Sequence, residues 1–211
     1  MTTPDELHYL RIPKAQGGRA EAVRMVYVLA GKSYTDVLTL PKDAASVVTG
    51  QNPFKQFPFV RTAAGQVIFQ SLAIMHHAAH GTSAWPSDPA ALTQALSVAI
   101  GGYDLYQAFG GFPAGDEVAK KKFEERRAPQ YFGGLAEIYA KTPFAVGETP
   151  TFADCIAREA MGWCVRRNEV SRALLEASPA LLGFFDRFDA IPSIKAFLDR
   201  QRLARERDDS V

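Results

Sequence analysis

The chain has 211 residues, 47% of them hydrophobic, 22% charged and 11% aromatic, which fits a folded globular protein and excludes a disordered or fibrous one. The 24 Lys and Arg against 23 Asp and Glu leave a formal charge of +1, so there is no broad basic field to draw nucleic acid or anionic lipid, and neither is expected as a partner. Cys155 and Cys164 are too few for a disulfide framework and wrongly spaced for a zinc ribbon; with no run of eighteen apolar residues and no basic-then-apolar leader, a soluble cytoplasmic protein is expected, without a membrane partner.

In chain order, ELHYLRI alternates and suits a short strand, and GRAEAVRMVYVLAG has apolar residues at helical spacing before a glycine stop. YTDVLTL reads as a second strand, FPFVRT and QVIFQ as a hairpin about AAG, and SLAIMHHAAHG as a helix ended by glycine. The order is β-α-β-β-β-α, with a loop after the second strand. Proline-rich TSAWPSDPA reads as a linker, after which helical patterns run over 91–109, 116–140, 151–168, 171–188 and 192–204. The expected organisation is therefore an α+β domain over 1–82, a linker over 83–90 and an all-helical domain over 91–211. AKKKFEERR, the densest charge run, reads as a solvated helix face.

The stretch FKQFPFVRTAAGQVIFQSLAIMHH, residues 54–77, interrupts backbone pairing twice. Pro58 has no N–H to give to a ladder, so it can only begin its strand, and an X-Pro bond has a cis option that costs ~0.5–1 kcal/mol. A cis Phe57-Pro58 bond would turn the Phe57 main chain outward, where an extended peptide could pair with it; alone, the proline equally fits an edge strand that ends a loop. Gln70-Ser71 follows the hairpin at a helix start, where exposed N–H groups and the positive dipole end suit a carboxylate. A serine capping its own helix is the plainer alternative. Together the two breaks point to a small peptide with a free carboxylate.

Other features read as structural. Thr151 and Asp154 have capping-box spacing. His76 and His80 are i,i+4, but the segment offers no third ligand, and no metal is expected. Both cysteines read as small core residues.

At the level of motifs, GGRAEAVRMVYVLAGKSY, FPFV…FQSLAI, PFAVGETPTFADCIA and FDAIPSIKAFLDR stand in the order and spacing of the cytosolic glutathione S-transferase family, which the chain resembles in its sigma-like form over nearly its whole length. That resemblance implies a thioredoxin-like N-terminal domain with a mixed sheet, followed by an all-α helical-bundle domain. It further implies a homodimer, and glutathione as co-substrate without a metal. It places Gln56, Phe57 and Pro58 at glutathione's backbone, Gln70 and Ser71 at its γ-glutamyl end, and Arg19 at glutathione or beside the activating group. Lys42 is a candidate for the glycyl carboxylate. Tyr103, Tyr106 and Phe109 are candidates for an electrophile pocket, although aromatics at helical spacing also suit a core.

Members of the family activate the thiol with tyrosine, serine or cysteine at the end of the first strand. No serine or cysteine precedes Ser33, which leaves Tyr9 in LHYL, a residue that would otherwise read as a packed strand aromatic. The implied function is detoxifying transfer of the glutathione thiolate to a small hydrophobic electrophile: an epoxide, halide, activated ring or conjugated alkene. The alternatives are a noncatalytic relative that binds ligands or builds structure, and a glutathione-dependent isomerase or peroxidase. RIPKAQGG makes the loop after Tyr9 longer than in sigma-like members and could bring Lys14 or Gln16 to the thiol.

Overall fold

The structure, a computed structural model, describes residues 4–11, 18–110 and 115–208. Lys14 and Gln16 lie outside them. Contacts divide the chain into two compact units, one up to Thr82 together with the segment from Ser193 onward, the other from Ser83 to Pro192. The linker residues thus group with the second unit, and the final helix groups with the first rather than with the other late helices.

The first unit contains β1 (Asp5–Leu10), α1 (Arg19–Leu29), β2 (Tyr34–Thr39), a 3-10 turn (Pro41–Asp43), α2 (Ala44–Val48), β3 (Phe59–Arg61), β4 (Val67–Phe69), α3 (Ser71–Ala79) and the terminal helix α10 (Pro192–Asp208). The sheet order is β2-β1-β3-β4, with β1 parallel to β2 and antiparallel to β3, and β3 antiparallel to β4. This is the expected thioredoxin-like pattern. The loop after the second strand is not bare, however: it holds the 3-10 turn and α2, which are too short and weakly periodic to stand out in the sequence.

The core of this unit joins Leu7 of β1 and Val60 of β3, which face each other in register, to Val23, Val26, Ile74 and Met75 from α1 and α3. Tyr27 of α1 donates to Asp5 Oδ2 at 2.8 Å, and His77 Nε2 of α3 lies 2.8 Å from the same oxygen. One carboxylate at the head of β1 therefore ties both helices to the sheet. Burial, then Asp5, pushes the Tyr27 phenol up, so it stays a neutral donor.

The second unit contains α4 (Pro89–Gly110), α5 (Glu117–Lys122), a π-helical turn (Phe123–Arg127), α6 (Ala128–Tyr139), α7 (Phe152–Val165), α8 (Glu169–Glu176) and α9 (Pro179–Asp189). The single helix expected over 171–188 is two, because Pro179 starts a new helix and Ser178 caps it by accepting from the Leu181 N–H. Helices α4 and α7 cross closely at Gly102, where an added Cβ would meet Ile156 Cγ2 at 2.7 Å.

The α7 N-terminus carries the expected capping box, and Asp154 does more than cap. Its Oδ2 accepts from the Thr151 N–H at 2.8 Å and the Thr151 hydroxyl at 3.0 Å. Its Oδ1 accepts from the Ala145 N–H at 2.8 Å and the Tyr139 hydroxyl at 3.1 Å. The residue is fully buried; burial pushes its carboxyl up to about 6 while these donors pull it down. Tyr139 in turn stacks on Phe184 at 3.7 Å, which links α6, α7 and α9 around one carboxylate.

Thr151→Ala is expected to cost about 1 kcal/mol in urea unfolding. Asp154→Ala removes the acceptor from four buried donors and is expected to cost about 3 kcal/mol or more; equal losses for the two variants would show that Asp154 acts only as a cap.

Candidate functional site

On the first unit, two adjoining hollows collect most of the residues singled out by sequence. A narrow cleft is lined by Arg19, Asn52, Gln56, Phe57, Pro58, Phe69, Gln70 and Ser71. A wider hollow of about 430 Å3 is lined by Tyr9, Leu10, Arg19, Ala44, Ala45, Val48, Lys55, Gln56 and Phe57. Arg19, Gln56 and Phe57 border both, so the two form one continuous surface.

Local structure explains how they meet. The β1–β3 ladder ends at the pair His8↔Phe59, and the Phe57-Pro58 bond just beyond it is cis. Carrying the register one step further sets Pro58 opposite Tyr9. At the far end of the β3–β4 hairpin, Gln70 holds φ 69° and stands in the N-cap position of α3 without capping through its side chain. Ser71 is then the first helical residue and is buried. The first bond within the helix is Ile74 N–H to Gln70 O at 3.0 Å, so the preceding N–H groups have no intrahelical acceptor and present a donor cluster beside the cleft.

Tyr9 is half-buried, and the Arg24 guanidinium carbon sits 5.8 Å from its ring centroid. Arg24 is itself buried. Its Nε donates to both Asp36 oxygens at 2.9 and 3.0 Å, and its Nη1 donates to Glu21 Oε2 at 3.0 Å. Burial of Arg24 works against its charge, but Glu21 and Asp36 outweigh it and hold the guanidinium above its ordinary range. Neighbouring His8 points its ring to the other sheet face, stacked on Phe59 at 4.4 Å, and burial lowers its basicity.

The structure thus brings together Tyr9, Arg19, Gln56, Phe57, Pro58, Gln70 and Ser71. It does not bring Lys42, which stands exposed on the 3-10 turn and borders neither hollow. Tyr103, Tyr106 and Phe109 lie on α4 of the second unit. Tyr106 is 6% exposed and packs between Tyr103 and Trp163, while Phe109 sits 5.0 Å from Phe123. A hollow of about 600 Å3 on that unit is lined by their neighbours Asp104, Gln107 and Ala108, together with Lys122, Phe123 and Arg127, but not by these three.

Sequence reasoning passed over Asn52, Lys55 and Arg24. The Asn52 amide bonds both main-chain groups of Gln56: Nδ2 donates to Gln56 O at 3.1 Å, and Oδ1 accepts from Gln56 N–H at 3.3 Å. The Asn-Pro dipeptide at 52–53 was an available turn signal. For Lys55 there was none, and Arg24 was hidden because its partner Asp36 lies twelve residues away.

Among the described residues, no three His, Cys, Asp or Glu gather as a metal site, and no helix is long and apolar enough to cross a membrane. His76 and His80 contact each other edge-on and are exposed. Cys155 and Cys164 are buried, and burial pushes both thiols up, Cys164 to about 12.

Comparison with known proteins agrees with this fold. Residues 103–201 match the family model for the glutathione S-transferase C-terminal domain. The chain is 27% identical over 192 residues to the hematopoietic prostaglandin D synthase of Gallus gallus, covering 87% of this chain and 92% of that protein. Among solved structures, the Pi-class glutathione S-transferase of Onchocerca volvulus superposes with a TM-score of 0.82 at 20% identity, covering 96% of each chain. Rat hPGDS complexed with a quinoline superposes with a TM-score of 0.80 at 21% identity, covering 94% of this chain and 97% of the other. The motifs of this chain, its thioredoxin-like sheet and helical second unit, and these relatives agree in likening it to the cytosolic glutathione S-transferases.

Proposed function

We propose that this protein is a tyrosine-type glutathione transferase that joins the glutathione thiolate to a small hydrophobic electrophile. The observation that carries the reading is the continuous surface from the α3 N-terminus, past Phe57 and Pro58, to Tyr9. Its span suits an extended tripeptide with a carboxylate at one end and a thiol in the middle.

Ser71 and the exposed N–H groups of α3 take the γ-glutamyl carboxylate, with Gln70 beside them. The Phe57 main chain, where the β3 ladder stops, pairs with the cysteinyl residue. The thiol then faces Tyr9. A free thiol titrates near ~8.5 and is mostly protonated at neutral pH, whereas the thiolate is the nucleophile. A phenol that donates to sulfur favours the anion, and a downward shift of ~2 units corresponds to roughly 2.7 kcal/mol, within reach of one charge-assisted bond in a water-poor hollow. Arg19 adds positive charge next to the same sulfur. The thiolate attacks the electrophilic carbon, and the pair of electrons leaves with a halide or passes to an epoxide oxygen or an enolate.

Likeness to the Gallus gallus prostaglandin D synthase favours one second reading, glutathione-dependent isomerisation, in which the same thiolate adds and is later expelled. Either reaction uses the same donors and needs no metal. The family resemblance supports a cytoplasmic, homodimeric protein with a detoxifying role; light scattering at the mass of one chain would remove the dimer.

The protein should be retained on immobilised glutathione and should conjugate a general aromatic halide. Tyr9→Phe is expected to lower kcat/KM by about tenfold or more and to move the pH profile up toward the free thiol near ~8.5. An unchanged rate and profile would remove Tyr9 from the chemistry. Ser71→Ala should instead raise the glutathione KM by about tenfold with a smaller effect on kcat, because its hydroxyl contacts the carboxylate and not the sulfur.

A further inference from the structure

Next to Tyr9 stands a histidine that the chemistry above does not use. Alternation along β1 puts His8 on the opposite sheet face from Tyr9, together with Glu6. The same face carries Arg61 and Phe59 of β3, opposite Glu6 and His8, and Thr35, Val37 and Thr39 of β2. Of these neighbours only Glu6 and Arg61 are charged.

Three rings form a column there. His8 stacks on Phe59 at 4.4 Å and 10°, and Phe59 stacks on Phe57 at 5.7 Å and 28°. Phe57 borders both hollows, and its main chain is where the cysteinyl residue pairs in the reading above. The His8 side chain is only 12% exposed, and its Nε2 lies 3.4 Å from Glu6 Oε2, which suits the tautomer with its proton on Nε2. Nδ1 is buried and, among the described residues, has no hydrogen-bond partner.

A proton on Nδ1 makes a charged donor with nothing to accept from it, a larger cost than the Phe59 face offsets by attracting a cation. Glu6 helps little, since it is nearly half exposed and also faces Arg61 Nε at 3.8 Å. In keeping with this, burial lowers the basicity of His8 more than Glu6 raises it, and Arg61 adds to the lowering. The neutral ring completes the column; a protonated ring is driven toward water and leaves Phe59 and Phe57 without that support.

We infer that His8 is a positioning residue for glutathione: its neutral imidazole holds the Phe57 turn through Phe59, and protonation releases it, so that binding weakens toward acid pH. This role rests on the glutathione reading above. Affinity is full above the ordinary histidine range near ~6.5 and is lost as pH falls through the His8 titration below it.

The test uses S-methylglutathione, whose blocked thiol cannot titrate, from about pH 7.5 to about pH 5, where carboxylates stay mostly ionised. The parent should lose roughly 3- to 10-fold in affinity across this window. His8→Phe keeps a stacked ring with no proton to gain and should bind equally at both ends. By reciprocity, saturating S-methylglutathione should move the His8 ring titration, followed by NMR in the parent, down by about 0.5 to 1 pH unit, the same factor in logarithmic form. A parent with flat affinity, a fall that persists in His8→Phe, or a His8 titration unmoved by the ligand overturns the inference. Should His8→Phe fail to fold, the parent's titration decides alone. A parent that binds S-methylglutathione at neither pH defeats the glutathione reading itself, and the role of His8 with it.

Discussion

Backbone donors and acceptors must be paired or solvated, and the candidate binding surface of this protein lies where the main chain stops pairing with itself. The β3 ladder begins only at Phe59, one residue after a proline that has no N–H to give, and α3 begins with N–H groups that no preceding turn can satisfy. Both breaks belong to one hairpin with its flanks, so both are held on the same unit at a fixed spacing. An extended peptide with a carboxylate end complements such a pair, since its own amides and oxygen atoms supply what the fold leaves open.

The supports around that surface are polar, centred on carboxylates and partly buried. Asp5 holds α1 and α3 to the head of β1, while the Arg24 fork holds α1 to β2 through Asp36 and places a cation near the Tyr9 ring. Such pairs are weak sources of stability, because desolvation of each charge offsets much of the attraction. Their geometric effect is firmer: a planar fork with bonds to two carboxylates admits few orientations. In the second unit Asp154 acts in the same manner, gathering four donors from three segments around the start of α7. In both units a carboxylate collects donors from segments that the hydrophobic core alone would leave free to slide.

Much of the surface was legible in the chain because its residues act through local main-chain geometry. Pro58 reports a missing N–H by its identity, Gln70-Ser71 a helix start by its place after a hairpin, and Thr151 with Asp154 a cap by spacing. Tyr9 could be chosen because it was the remaining candidate on a short strand. Lys42, Lys55 and the α4 aromatics were not decidable in this way, since a lysine's sequence position says little about which hollow its long side chain borders. The split of α8 from α9 was readable at Ser178-Pro179 but masked by the apolar periodicity running across it.

The sequence by itself determined the order of elements and the two interruptions in pairing, because propensity, proline chemistry and capping act over a few residues. Tertiary structure alone decided that Arg24 stands beside Tyr9, that Asn52 braces the turn carrying Lys55, and that Lys55 rather than Lys42 borders the wide hollow. Those relations join residues brought together by the sheet order β2-β1-β3-β4 and by one left-handed turn, and no periodicity in the chain encodes distances across a sheet.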